Sequence, residues 1–301
     1  MTQLSVRVPA SAANLGPGFD TLALALDLYN ELEVELTDAD LALTIEGAGE
    51  GELPEDARNL IVRAALKLFR ILGKKPPGLQ LRSVIRIPLG GGLGSSTAAI
   101  AAGLLAADAI AGADLSREDL LKVASDLEGH ADNSAAVLFG GLILVSEGPL
   151  VCQVPIVDLQ VAVVVPKLDL PTLQMRQVLP RNVPLTDAVF NIGRASMTVE
   201  ALRRGDYELL SRAMEDRLHQ PYRTSLIPGF DAARKAALQA GAAAVALAGA
   251  GPGLIAFAPT GHARIADAMA ESLHTFGLST ESFVLAPARD GAQVRTTNQP
   301  Q

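Results

Sequence analysis

Cysteine occurs once in the 301 residues, as Cys152. The chain can therefore form no internal disulfide and no cysteine-rich metal centre, and a reducing cytoplasm is the expected setting. Positive charge is scarce as well: 25 Lys and Arg stand against 33 Asp and Glu, for a formal charge of −8. Binding a polyanion rests on neutralising its phosphates, so nucleic acid is excluded as the main partner. Long hydrophobic runs are missing too. The longest, Ala98–Ala113, is alanine-rich and broken by Asp108, too short and too weakly apolar to span a bilayer. Met1–Val6 leads straight into an alternating strand pattern with no basic stretch ahead of an apolar run, so no signal peptide is expected. A soluble protein with no membrane partner follows. What the chain does have is core: 49% of its residues are apolar, enough for one large domain or two ordinary ones, and two are expected.

Periodicity sketches the elements. Leu4–Pro9, Leu32–Leu36 and Leu41–Ile45 alternate apolar and polar residues as strands with one wet face do. Asn59–Leu72 has helical spacing and stops at Gly73 before Pro76 and Pro77, and a strand is expected at Leu79–Ile87. Helices are predicted near Thr97–Ala111 and Arg117–Leu127, a helix or apolar run at Ala135–Phe139, and a strand at Leu142–Ser146. Val161–Val165 reads as a buried strand opening a second unit, followed by a proline-punctuated loop holding Thr172 and Arg176. Helices at Asp187–Arg203, Tyr207–Leu218, Pro228–Ala240 and Ala263–Leu273 then alternate with strands at Ala243–Leu247, Leu254–Phe257 and Ser282–Ala286. The pattern is that of an α+β sandwich. No internal repeat or long linker is visible, and only Thr296–Gln301 reads as a disordered tail.

The most informative junction is Pro88-Leu89-Gly90-Gly91-Gly92-Leu93-Gly94-Ser95-Ser96, a glycine-rich loop running directly into the alanine-rich helix. Free N–H groups and partial positive charge at a helix start suit a phosphate, and glycines let the backbone wrap it. The loop is no Walker A motif, since no lysine occurs between Pro88 and Ala111, and no Rossmann fingerprint, since Ser95 stands where the third glycine belongs. Taken alone, it is equally a turn with Ser95 or Ser96 as an ordinary helix cap.

Pro88–Ala99 (PLGGGLGSSTAA) resembles the nucleotide-phosphate motif of the GHMP kinases, which include galactokinase and the homoserine, mevalonate and phosphomevalonate kinases. Pro9–Asp20 (PASAANLGPGFD) is similar to the N-terminal motif of the homoserine-kinase branch, and Leu247–Pro252 (LAGAGP) to the family's third motif, a glycine turn that approaches the phosphates. Glu128–Asn133 (EGHADN) is similar to a block of bacterial homoserine kinases. The motifs fall in the family's order and span nearly the whole chain. Departures from the branch are Ala12, Ala248 and Gly253, where hydroxyl residues are usual, and Gln220, where glutamate is usual.

The resemblance implies a GHMP kinase two-domain fold: residues 1–158 as an ATP-binding, ribosomal-protein-S5-domain-2-like domain with a left-handed βαβ unit, and 159–295 as a ferredoxin-like α/β sandwich, the site lying between them. It implies transfer of the γ-phosphoryl of ATP, with Mg2+, to the side-chain hydroxyl of L-homoserine in threonine biosynthesis, and commonly a homodimer. ATP would contact Pro88, Gly90, Gly91, Gly92, Leu93, Gly94, Ser95, Ser96, Gly249 and Gly251, with Asn59 near the adenine; Ser96 and Glu128 would hold the metal. Asn133 would hold the acceptor hydroxyl, with Asp132 as the rival base. An amino-acid substrate needs donors for its carboxylate and acceptors for its ammonium. Arg176, four residues after Thr172, and Arg223 would take the carboxylate, and Asn14 and Asp20 the ammonium and polar end. His130 would bind substrate or cap a loop. Another GHMP kinase, of the mevalonate or sugar type, would lack the arginine clamp; a non-catalytic binding module would have lost Ser96, Glu128 and Asn133.

Overall fold

The computed structural model describes residues 2–39, 41–148 and 150–298. Its first sheet begins with β1 (Thr2–Ala13) and β2 (Leu22–Thr37), which pair antiparallel along most of their length. Alternation buries Leu4, Val6, Val8, Ala10 and Ala12 of β1 against the helices behind the sheet. The strand does not stop at Pro9 as the alternation suggested: a register shift between Pro9 and Ala10 absorbs the residue that has no N–H to give, and pairing resumes to Ala13.

β3 (Ala42–Gly47), α1 (Leu60–Ile71) and β4 (Gly78–Ile85) form the parallel crossover unit, β3 and β4 pairing in parallel. Six residues of α1, among them Leu68 and Phe69, are buried on one face, and burying each large side chain stabilises by about 1.5–3 kcal/mol. β4 ends two residues short of Ile87 because the Asn30 side chain accepts the N–H groups of Arg86 and Ile87 at 2.8 and 3.0 Å, taking them out of the ladder. Next come α2 (Ser95–Ala111), α3 (Arg117–Glu128), α4 (Asp132–Phe139), β5 (Leu142–Ser146) and β6 (Leu150–Val154). β5 pairs with β2 and β6 with β5, extending the same sheet.

The second sheet starts with β7 (Val161–Pro166), after an unpaired stretch in which the expected boundary at 158/159 falls. α5 (Thr172–Gln177), α6 (Leu185–Arg204), α7 (Tyr207–Ala213) and α8 (Gln220–Arg223) follow. After them come α9 (Phe230–Gln239), β8 (Ala244–Leu247), β9 (Leu254–Phe257), α10 (His262–His274) and β10 (Thr280–Leu285). The strand order β10-β7-β9-β8, with every pair antiparallel, is the β-α-β-β-α-β ferredoxin-like arrangement with α9 and α10 as its helices. Two sequence expectations fail here. The loop carrying Thr172 and Arg176 contains a helix, α5. The helix expected to reach Leu218 ends at Ala213, because buried Asp216 accepts the N–H groups of Leu218, His219 and Gln220 and so begins α8 instead.

β7 is buried on both faces. Val161, Val163 and Val165 belong to the large core that runs through the first sheet, while Ala162 and Val164 belong to the core under α9 and α10. The chain then returns to the first sheet: β11 (Gln293–Asn298) pairs antiparallel with the edge of β1. Residues 296–298 are thus strand rather than tail, their backbone groups taken up by β1, and the remainder of the expected tail lies outside the described residues. No helix among the described residues is long and apolar enough to cross a membrane.

Candidate active site

The turn between β1 and β2 is strained. Asn14, Leu15 and Asp20 all hold positive φ, at 71°, 44° and 53°, a region that non-glycine residues rarely occupy and that clusters at functional sites. Asn14 over-determines the turn. Its Oδ1 accepts the Asp20 N–H at 2.9 Å, and its Nδ2 donates to the Gly249 carbonyl at 2.7 Å, tying the first motif to the third.

Gly94 caps α2 with φ 72°, and no side chain caps the helix start. Neither serine is the ordinary cap: the Ser95 hydroxyl reaches back to the Ile87 carbonyl and the Ser96 hydroxyl donates to Glu128 Oε1 at 2.9 Å. The uncapped amino end faces a cavity of about 290 Å3. Gly92, at φ 75°, lies so close to the third motif that a Cβ there would sit 2.1 Å from the Ala248 carbonyl oxygen. A Cβ on Gly253 would come within 2.3 Å of the Gly91 carbonyl, so in this chain the glycine turn and the glycine loop meet backbone to backbone.

The 290 Å3 cavity collects Asn14, Asp20, Gly90, Gly91, Gly92, Gly94, Ser95, Ser96, Glu128, His130, Asp132, Asn133, Thr172, Arg176, Arg223, Gly249 and Gly251. Pro88 and Leu93 are not among its lining residues: both are buried, and the Leu93 carbonyl accepts the Ser11 N–H at 3.1 Å. A second, mainly apolar cavity of about 450 Å3, walled by residues such as Leu53, Leu60, Ile85, Leu89 and Ala102, shares Gly90, Ser95 and Ser96 with the first. Asn59 lines it, but its amide already caps α1, accepting from Ile61 N–H and donating to the Pro54 carbonyl, both at 2.9 Å.

On the far wall, Asn133 Oδ1 accepts the Ser11 hydroxyl at 2.8 Å. Asp132, almost fully buried, accepts from the Asn133 N–H at 2.8 Å and bonds His130 Nδ1 at 2.9 Å through the same oxygen. His130 Nε2 lies 3.6 Å from Glu128. Burial works against a charged His130, but the hydrogen bond and charge of Asp132, with the charge of Glu128, outweigh it and raise its pKa. Among the described residues no three His, Cys, Asp or Glu side chains gather closely enough to cage a metal. The Ser96 hydroxyl and Glu128 carboxylate nevertheless form an oxygen pair at the helix start, the donor type that suits Mg2+ completed by phosphate oxygens and water.

The two arginines differ. Arg176 makes a two-pronged ion pair with Asp20, at 2.7 and 3.0 Å, and that hydrogen bonding, against the opposing effect of burial, raises its pKa. Asp20 therefore faces an arginine, which the sequence reading did not foresee. Arg223 is buried, donates Nε–H to the Met175 carbonyl at 3.0 Å and approaches His219 Nδ1 at 3.1 Å. Burial, aided by repulsion from Arg176, pulls its pKa down to about 10, leaving it charged at neutral pH. Both guanidinium groups lie near the Phe19 ring, at 5.7 and 5.2 Å from its centroid. The sequence reading passed over Ser11, Phe19, Asp216 and His219. Ser11 and Phe19 lie inside the Pro9–Asp20 motif and His219 stands next to Gln220, but nothing in their spacing gave their contacts away.

An uncapped glycine-rich helix start with a polar cleft beside it, backed by a ferredoxin-like second unit, suits the class of proteins that bind a small phosphorylated ligand. Models of the GHMP kinases N terminal domain and the GHMP kinases C terminal domain match residues 59–141 and 198–275. The homoserine kinase of Carboxydothermus hydrogenoformans is 41% identical over 290 residues, covering 95% of each chain. That of Moorella thermoacetica is 42% identical over 294 residues, covering 96% of this chain and 99% of its own. The crystal structure of homoserine kinase from Cytophaga hutchinsonii superposes with a TM-score of 0.88 at 32% identity, covering 97% of each chain. The chain belongs to the homoserine kinases within the GHMP kinase family.

Proposed function

We propose that the chain transfers the γ-phosphoryl of ATP to the side-chain hydroxyl of L-homoserine, giving O-phospho-L-homoserine and ADP. The observation that carries this reading is one cleft holding an uncapped glycine-rich helix start, an anchored asparagine and a buried arginine that has no ion-pair partner among the described residues. The apolar cavity suits a flat adenine, with Asn59 at its wall. Its shared edge at Gly90, Ser95 and Ser96 hands the triphosphate to the start of α2, where backbone N–H groups and the helix dipole favour anions. Ser96 and Glu128 would hold Mg2+, which when bound offsets charge on the phosphates.

Phosphoryl transfer asks chiefly for positioning and charge stabilisation. Asn133, held by Ser11, orients the acceptor hydroxyl. The substrate's hydroxyl oxygen bonds the γ-phosphorus as the bond to the ADP oxygen breaks, and the hydroxyl proton passes to a phosphate oxygen. Asp132 is the rival base, but its Oδ1 is already occupied by His130 and the Asn133 N–H, which favours a role in fixing Asn133. Arg223 takes the substrate carboxylate, with Arg176 beside it. Asp20 receives the ammonium, with Asn14 bracing the turn, and Thr172 and His130 close the pocket. Domains at 1–158 and 159–295 fit this division of labour, β11 excepted.

Coupled ADP release with MgATP over L-homoserine, mevalonate, galactose and shikimate, with Arg176→Ala and Arg223→Met in parallel, tests the reading. Turnover confined to homoserine and weakened in both variants is expected; silence on the whole panel with ATP still bound would favour a binding module.

A further inference from the structure

The geometry points to His219 as a positioning residue that holds Arg223 in the cleft while leaving its charge unspent. The inference rests on the proposed function and concerns how the carboxylate end of the substrate is recognised. His219 is completely buried, and its Nε2 lies 2.7 Å from the Gly16 carbonyl oxygen. A carbonyl only accepts, so Nε2 carries the proton. Its Nδ1 lies 3.1 Å from an Arg223 nitrogen, which only donates, so Nδ1 must offer a lone pair. Both contacts are satisfied by one species alone, the neutral Nε2–H tautomer; a second proton on Nδ1 would face the guanidinium head-on. Burial, opposed by Asp216 at 3.4 Å, lowers the pKa in the same sense.

The consequence lies in the contrast between the arginines. Arg176 is offset by Asp20. Arg223 is fixed by two acceptors without net charge, the Met175 carbonyl and His219, and makes no ion pair with a carboxylate among the described residues. A carboxylate at 219 would hold the guanidinium as firmly and cancel it, whereas an apolar residue would leave the Arg223 nitrogen that faces it and the Gly16 carbonyl without a partner. The ring also stacks on Phe19, centroids 5.2 Å apart, joining Arg223 to the β1–β2 turn that carries Asn14 and Asp20. A neutral acceptor is the group that positions a cation for an anionic ligand.

Two substitutions separate this role from general support. In His219→Asn the amide oxygen takes the place of Nδ1 and keeps the acceptor toward Arg223; in His219→Gln the amide nitrogen takes the place of Nε2 and keeps only the Gly16 bond. Steady-state kinetics should show the KM for L-homoserine within about threefold of wild type for H219N and raised roughly tenfold or more for H219Q, the loss of one charge-assisted hydrogen bond. The kcat and the KM for ATP should be unchanged in both. Equal effects of the two variants, or a loss spread over kcat and the KM for ATP, would overturn the inference while leaving the proposed function standing. A wild-type enzyme that ignores homoserine removes the function and this inference with it.

Discussion

Arg176 and Arg223 carry the same guanidinium in opposite circumstances, and their substitutions should differ accordingly. Arg223→Met removes a charge that has no ion-pair partner among the described residues, so the KM for homoserine should rise roughly ten- to hundredfold, matching a lost charged hydrogen bond of about 1.5–3 kcal/mol. Arg176→Met removes a charge that Asp20 already offsets, and a smaller rise is expected. Initial-rate measurements on the pair decide, with the KM for ATP as the control. His219 adds a dependence on pH. Its folded pKa lies below the ordinary value of about 6.5, so protons bind the unfolded chain first as pH falls. The stability it contributes is complete above pH ~6.5 and is lost as pH falls from there toward the folded pKa. Urea midpoints at pH 7.5 and 5.5 should therefore draw together in His219→Asn relative to wild type.

At the scale of elements, the glycine loop and the turn at 247–253 work as one body, because their backbones touch. Gly92→Ala and Gly90→Ala test this. Both positions hold positive φ, which costs a non-glycine residue about 1–2 kcal/mol, but only the Cβ at 92 meets a carbonyl, while that at 90 meets open space. Gly90→Ala should lower the melting temperature slightly, whereas Gly92→Ala should lower it more and raise the KM for ATP at least tenfold. The elements themselves were unevenly legible in the sequence. α1 was readable from its helical spacing, α2 from its alanine content after the glycine loop, and β7 from an unbroken apolar run. β1 past Pro9 was not, because its register shift is decided by β2, and α5 and β11 were not, because six residues carry too little pattern to name a partner strand or face. The site divides in the same way. The glycine loop, Glu128 and Asn133 were readable as motifs, whereas the Arg176–Asp20 pair and the buried position of Arg223 depend on how separate segments meet in space.

Across the whole molecule, β7 gives alternate side chains to two cores, so the halves share a wall rather than abut. Equilibrium unfolding should accordingly show one transition, and a nonhydrolysable ATP analogue bound on the first half should move all of it, by about 2.7 kcal/mol at a hundredfold excess over Kd. Two resolved transitions, only one of them moved by the nucleotide analogue, would contradict this. The shared wall also bears on how substrates come and go. Domains that merely touch through a polar seam swing apart readily, but a seam filled with Val161, Val163, Val165, Ile255 and Phe257 resists parting. The two walls of the cleft are thus tied together through one core, and at its rim the 167–171 segment and α5 expose Leu173 to solvent while Thr172 and Arg176 line the cavity.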